Sequence, residues 1–149
     1  MKIYMDVCCY NRPMDDQTQD RIHFETEAIL KILKNCEKEG WALIGSSVIE
    51  YELGKHTDKM KQREAYKFYN YAKTVYDIDN YPDAPSRAKQ FQSHGVDAID
   101  GLHLVMAEWA EADVLLTTDD RFINAAKRTD SKIKVVNPIL WLMEVSDND

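Results

Sequence analysis

Four acidic residues, far apart in the chain, each stand where one structural pattern gives way to another: Asp6, Glu52, Asp100 and Asp119. Carboxylates gathered in one place repel, and their pKa values rise unless a cation joins them. Hard oxygen donors suit Mg²⁺ or Mn²⁺, which keep several waters and also accept phosphate oxygens. A cation so held activates a water, neutralises charge on a phosphate and orients the attack. A cleft of that kind hydrolyses a phosphodiester without a histidine or a covalent nucleophile. Asp97 and Asp120 lie nearby in sequence and are candidates for an outer ligand or a base.

That chemistry needs elements that bring the four together. Lys2 to Met5 is short and β-prone and ends at Asp6, which makes it strand one. Asn11 to Asp16 reads as a loop. From about Thr18 to Glu39, Ile22, Ile29, Ile32, Leu33 and Cys36 recur with the helical period, and Gly40 is the stop. Trp41 to Gly45 is strand two. Ser47-x-x-Glu50 has the form of a capping box, opening a helix that ends near Lys55. A second helix is expected from about Asp58 to Tyr76. Tyr81-Pro82-Asp83-Ala84-Pro85 breaks the pattern before a short helix, Ser86 to His94, closed by Gly95. The next helix runs from about Val96 to Glu111. Val114 to Thr117 is an almost wholly apolar strand, a helix follows from Asp119 or Asp120 to Arg128, and Ile133 to Val136 is the last strand. Asn137-Pro138 turns into a final short helix.

Strands alternating with helices mean a parallel sheet covered on both faces. The expected architecture is a three-layer α/β/α sandwich with four to five strands, formed by residues 1–149 as one domain. In such sheets the crevice lies outside the carboxyl ends of the strands. Asp6 and Asp119 each end a strand, so they reach one rim. Glu52 and Asp100 lie early in the helices beside them.

Each residue also has a simpler explanation. Asp6 fits a turn, Asp119 an N-cap, and Glu52 a solvated helix acid. Asp97 and Asp100, three apart, both suit a helix N-terminus, Asp97 the more so. Glu50 is explained by the capping box. His103, one turn after Asp100, reads as a packing histidine first and a partner of Asp100 second. Arg12 and Arg121 lie at the expected rim, where each either holds phosphate or is a surface arginine.

The bulk properties narrow the field. With 149 residues, 44% hydrophobic and 30% charged, the chain is an ordinary globular domain. No apolar run is long enough to span a bilayer, and the first residues lack a signal-peptide stretch, so a cytoplasmic protein with no membrane association is expected. The three cysteines Cys8, Cys9 and Cys36 form neither a disulfide framework nor a zinc motif. The net charge of −7 excludes a nucleic-acid-coating protein and implies weak or restricted substrate binding.

These stretches together resemble the PIN domain, the family of small nucleases that includes VapC-type toxins. Ile3-Tyr4-Met5-Asp6-Val7-Cys8-Cys9 resembles its strand-plus-aspartate start. Ser47-Val48-Ile49-Glu50-Tyr51-Glu52-Leu53 resembles its second motif and selects Glu52 over Glu50. Ala98-Ile99-Asp100-Gly101-Leu102-His103-Leu104 resembles the helix start that carries its third acid. Leu116-Thr117-Thr118-Asp119-Asp120-Arg121-Phe122 resembles its threonine–aspartate motif, and Val135-Val136-Asn137-Pro138 its closing strand and turn. The likeness extends over essentially the whole chain. Gly101 departs from the usual alanine, and Cys8 and Cys9 replace hydroxyl or small residues that often support the first aspartate. Thr117 or Thr118 is then expected to supply that support.

The resemblance implies a metal-dependent endoribonuclease, a toxin paired with an antitoxin, and a homodimer. In this reading Asp6, Glu52, Asp100 and Asp119 are catalytic, with Asp6, Asp100 and Asp119 on Mg²⁺ or Mn²⁺. Asp97, Asp120, Thr117 and Thr118 support them, and Arg12 and Arg121 contact phosphate. The competing reading is a PIN scaffold that binds RNA or a protein without cutting. Phosphatase-like and receiver folds fit poorly: the first wants an acid where Cys8 stands, the second a lysine after a late strand.

Overall fold

In the computed structural model, which describes residues 1–38 and 40–147, the expected alternation becomes one five-stranded parallel sheet. Strand β1 is Lys2–Met5, β2 Ala42–Ser46, β3 Thr74–Tyr76, β4 Val114–Leu116 and β5 Val135–Val136. Their spatial order is β3-β2-β1-β4-β5, with β1 at the centre, and helices cover both faces in three layers. The register pairs Tyr4 with Ile44 on one side and Met5 with Leu116 on the other. Every residue from Ile3 to Met5 and from Val114 to Leu116 is fully buried. Consecutive buried residues, rather than alternating ones, are what a sheet covered on both faces requires.

The helices follow capping and stop signals. Helix α1, Val7–Asn11, opens at Asp6, and a 3₁₀ turn, Arg12–Met14, continues it. The expected loop after Asp6 is therefore mostly helical, because an aspartate before an apolar run is itself an N-cap. Helix α2 is Asp20–Lys38 and packs against α8, Pro138–Asp147. The expected end of α2, Glu39, lies outside the described residues, and Gly40 follows with φ +75° as the stop. Helix α3 is Ser47–Gly54 and α4 Lys59–Tyr69. Helix α5, Ala84–Ser93, starts two residues earlier than expected, with Pro85 in its first turn, where a missing N–H costs nothing. It packs closely on α6, Ala98–Trp109. Helix α7 is Asp120–Ala126.

Two expectations are corrected. The helix expected from Asp58 to Tyr76 stops at Tyr69, and Thr74–Tyr76 forms β3 beside Ile44–Ser46. Val75 and Tyr76 happened to fit the helical period. Their β-branched and aromatic side chains fit an edge strand equally, and the free edge of β2 decided between them. The expected capping box does not form: the N-cap of α3 is Ser46, whose Oγ accepts from Ile49 N at 3.1 Å, and three residues after Ser46 stands Ile49 rather than an acid. Ser47 Oγ instead accepts from Ile78 N across the fold, and Glu50 accepts from the Tyr69 hydroxyl at 2.7 Å. Among the described residues, no helix is long and apolar enough to cross a membrane.

Candidate metal centre

Strand β1 delivers Asp6 to the carboxyl rim of the sheet, where its N–H donates to Leu116 O on β4 at 2.9 Å. Asp6 is 7% exposed. Its Oδ1 accepts from Val7 N at 2.7 Å and its Oδ2 from the Thr117 hydroxyl at 2.9 Å. One strand over, Asp119 caps α7, accepting from Arg121 N at 2.9 Å. Its own N–H donates to Thr117 Oγ1 at 3.1 Å. Thr117 thus ties the two strand-end acids together, donating to one and accepting from the other. Cys8 completes this corner, its thiol 3.5 Å from Asp6 Oδ2 and 3.4 Å from Thr117 Oγ1.

Helices α3 and α6 bring in the other acids. Glu52 lies one turn and a half into α3, and Asp100 and His103 lie three apart on α6. His103 is fully buried. Its Nε2 bonds Glu52 Oε1 and stands 3.6 Å from Asp6 Oδ1. A carboxylate accepts, so Nε2 carries the hydrogen. Its Nδ1 meets the Tyr4 hydroxyl at 2.7 Å, and that hydroxyl meets Ser46 Oγ at 2.8 Å. A line of buried groups therefore runs from the cap of α3 through the central strand to Glu52 and fixes the ring orientation of His103. Burial keeps the Tyr4 hydroxyl well above its ordinary pKa, so it stays neutral.

The charge balance of the cleft is lopsided. Burial first, and then the charge of Asp6, push the Asp100 pKa to about 7; Asp119 and Asp97 add to this and His103 opposes it. For His103 burial works downward, but the bond to Glu52 and the charges of Asp6, Glu52 and Asp100 outweigh it and raise the pKa. An oxygen of Asp6, an oxygen of Glu52 and a ring nitrogen of His103 lie within 4.8 Å of one another. Asp100 and Asp119 stand outside that tight group but within reach of its charge. Oxygen donors that crowd one another and raise a carboxyl pKa fit a hard divalent cation, which would relieve the repulsion.

Not every expected residue reaches the cleft. Asp120 is exposed and turned to Arg21, which grips it through two 2.9 Å bonds. This pairing draws the Asp120 pKa down. Arg12 is enclosed rather than free at the rim. It donates to Asp15 at 3.0 Å and to Thr118 Oγ1 at 2.8 Å. Its Nε also lies 3.1 Å from Glu25 Oε1, an ionic contact without the alignment of a hydrogen bond. Its contacts are to the scaffold, and its side chain is largely buried, at 19% exposure. Thr118 serves Arg12, leaving the support of the acids to Thr117. Asp97 occupies the N-cap position of α6 but makes no capping bond; it lines a groove with Asp100 and Arg121.

Tyr4 and Ser46 carried no sequence signal for the site, and Cys8 stands at the position beside Asp6 where the motif usually has a hydroxyl or small residue. His103 did, by its one-turn spacing from Asp100, although its partner is Glu52.

No family model matches the chain, and no curated protein matches it. Solved structures do. FitAcB from Neisseria gonorrhoeae is 18% identical, with a TM-score of 0.58 over 91% of this chain and 97% of that one. PAE2754 from Pyrobaculum aerophilum is 15% identical, with a TM-score of 0.58 over 99% of this chain and 96% of that one. At such identities the likeness is one of fold. The sheet order, the three layers and these neighbours agree with the motif resemblance: the chain has the PIN-domain fold.

Proposed function

We propose that the chain is a metal-dependent endoribonuclease, the toxin of a toxin–antitoxin pair, that hydrolyses RNA in the cleft of Asp6, Glu52, Asp100 and Asp119. The observation that carries this reading is the crowding of acids, in which Asp100 is pushed to about 7 by burial and neighbouring carboxylates. Asp6, Asp100 and Asp119 would hold Mg²⁺ or Mn²⁺. Such an ion, when bound, neutralises charge on the phosphate and lowers the pKa of a water. The chain's own residues do the rest. Thr117 orients Asp6 and Asp119, and His103 turns Glu52 to the cleft, where it accepts the proton of the attacking water. RNA as substrate, an antitoxin that blocks the cleft and a homodimer follow from the family resemblance.

A second reading has one observation in its favour. His103 already stands between Asp6 and Glu52; in its protonated form it supplies an internal counter-charge, and the cleft then serves a binding scaffold without metal. The two readings part in one assay. Protein purified free of any partner is incubated with RNA in Mg²⁺, in Mn²⁺ and in EDTA, alongside Asp6→Asn and Asp100→Asn. Cleavage that needs the metal and both acids is expected. Cleavage surviving EDTA or both substitutions would sink the metal-nuclease reading, and a folded protein with no cleavage in any condition would favour the scaffold.

A further inference from the structure

Beside the acid cleft lies a groove of about 240 Å³ between the start of α6 and helix α7. Its walls carry opposite charge, with Asp97 and Asp100 on one and Arg121, Asn124 and Arg128 on the other. Arg121, Asn124 and Arg128 follow at spacings of three and four, which aligns them along one helical face. Helix α7 ends at Ala126, but Arg128 N still donates to Ala125 O at 3.0 Å, so the turn carries the alignment on.

The place of Arg128 is built. Its Nε donates to His94 O at 3.1 Å. Gly95, with φ +95°, passes directly under the guanidinium, where an added Cβ would stand 2.7 Å from Nη2. That backbone conformation favours glycine, and a Cβ here would push the end of the Arg128 side chain out of its place. Among the described residues, Arg12, Arg21 and Arg87 are paired with carboxylates, whereas Arg63, Arg121 and Arg128 have no ion-pair partner, and of these three Arg121 and Arg128 line the groove. A chain of net charge −7 thus keeps two guanidinium groups unpaired on the wall facing its acid cleft. Planar guanidinium groups match phosphate oxygens two at a time.

We propose that this groove is the subsite for the nucleotide next to the scissile phosphate, with Arg121 and Arg128 gripping the backbone of a single-stranded RNA. The proposal rests on the nuclease reading only for where the cut falls, since gripping a strand needs no catalysis. A groove of this volume, bounded by α6 and α7, suits one unpaired strand tracked by its phosphates rather than a duplex read across its broad minor groove.

Counter-ion release gives the test. Binding of a short fluorescein-labelled single-stranded RNA is followed by anisotropy in EDTA over a NaCl series. For single strands, each phosphate contact contributes a slope of about 0.7 in log K against log salt. Arg121→Ala and Arg128→Ala should each flatten the slope by about 0.7, and the double substitution by about 1.4. Gly95→Ala should weaken binding as Arg128→Ala does, Arg→Lys at either position should keep the slope, and Arg63→Ala, on the exposed face of α4, should leave it unchanged. Circular dichroism melts confirm that each variant folds. An unchanged slope in the folded double variant overturns the proposal, and a duplex of the same sequence bound equally well overturns the single-strand assignment. Failure of the nuclease reading is distinct: the slope then depends on the two arginines while no condition yields cleavage. RNA cleavage with an arginine-independent slope would instead keep the nuclease and remove the subsite.

Discussion

Glu25 and Asp6 are both buried acids near the same end of the molecule, and the fold treats them in opposite ways. Glu25 is fully buried, with Arg12 Nε 3.1 Å from one oxygen and Arg21 Nε 3.1 Å from the other. Asn137 Nδ2 adds a 2.7 Å bond. Two cations and an amide from three parts of the chain close on one carboxylate. Asp6 receives a hydroxyl, a backbone N–H and a thiol, and among the described residues no lysine or arginine pairs with it. The histidine beside it is shared with Glu52, while Asp100 and Asp119 add further negative charge. A buried charge without a partner costs several kcal/mol. The scaffold settles that cost internally at Glu25 and leaves it standing in the cleft. Such a deficit is compatible with a divalent-cation site.

The largest effect should come from breaking the settled side. Glu25→Ala strands Arg12 and Asn137 and should cost about 3–5 kcal/mol, because removing one member of a buried pair leaves the other uncompensated. For a chain of this length that lowers Tm by roughly 6–20 °C in a calorimetric scan. A fall of only a degree or two would mean that the network is not what holds α2 to the rest.

The cleft should respond in the reverse sense. In EDTA, Asp6→Asn should cost no more than about 1 kcal/mol, since an amide oxygen still accepts from Thr117 and one negative charge is gone. In wild type, Mn²⁺ at a hundred times its Kd should stabilise by about 2.7 kcal/mol, and Asp6→Asn should abolish that gain. A variant stabilised by Mn²⁺ as fully as wild type would remove Asp6 from the metal site.

Asp100 offers a pH test of the same deficit. Its folded pKa of about 7 lies above the ordinary carboxylate value. The folded state therefore binds more protons than the unfolded one between those values, and stability falls as pH rises through that window. The contribution is fully present below about pH 4, the unfolded value, and gone above about pH 7. Metal-free Asp100→Asn should show a flatter Tm between these limits than wild type. Parallel profiles would contradict the crowding of Asp100 by Asp6.

The smallest effect should be at Asp120. Its pair with Arg21 is more than half exposed at both ends, at 61% and 54%. Exposed pairs contribute about 0–1 kcal/mol. Asp120→Asn should leave RNA cleavage unchanged and shift Tm only slightly. A large loss of cleavage would bring Asp120 back into the cleft and blur the contrast between the two acid clusters.

The positions of these acids were legible to different depths. Asp6 and Asp119 end apolar strands, a pattern that needs only the local sequence and the rule for parallel sheets. Asp100 was legible for the same reason, as an acid in the first turn of an amphipathic helix. Glu52 was picked out in part through a capping box that does not form, since Ser46 is the N-cap, and Glu50 lies apart because Tyr69 holds it. Asp119 and Asp120 are adjacent and chemically alike. Only the turn into α7, which makes one the N-cap of the helix and gives the other to Arg21, separates them. The strand Thr74–Tyr76 was hidden because three residues carry too little pattern to oppose a helical period.

By itself, the sequence determined the alternation of strands and helices, the buried central strands, the helix stops at Gly40 and Gly95, and the rim on which the strand-end acids lie. These follow from periodicity and backbone conformation, which act over a few residues. Only the tertiary structure decided that Tyr4, Ser46, His103 and Glu52 form one line, through contacts spanning 42, 99 and 51 residues of chain. It alone spent Arg12 and Arg21 on Glu25, left Arg121 and Arg128 without an ion-pair partner among the described residues, and gave the cleft acids one shared histidine in place of a lysine or arginine. Partner choice among charged side chains depends on the order β3-β2-β1-β4-β5, which sets distant segments side by side and leaves no local trace in the chain.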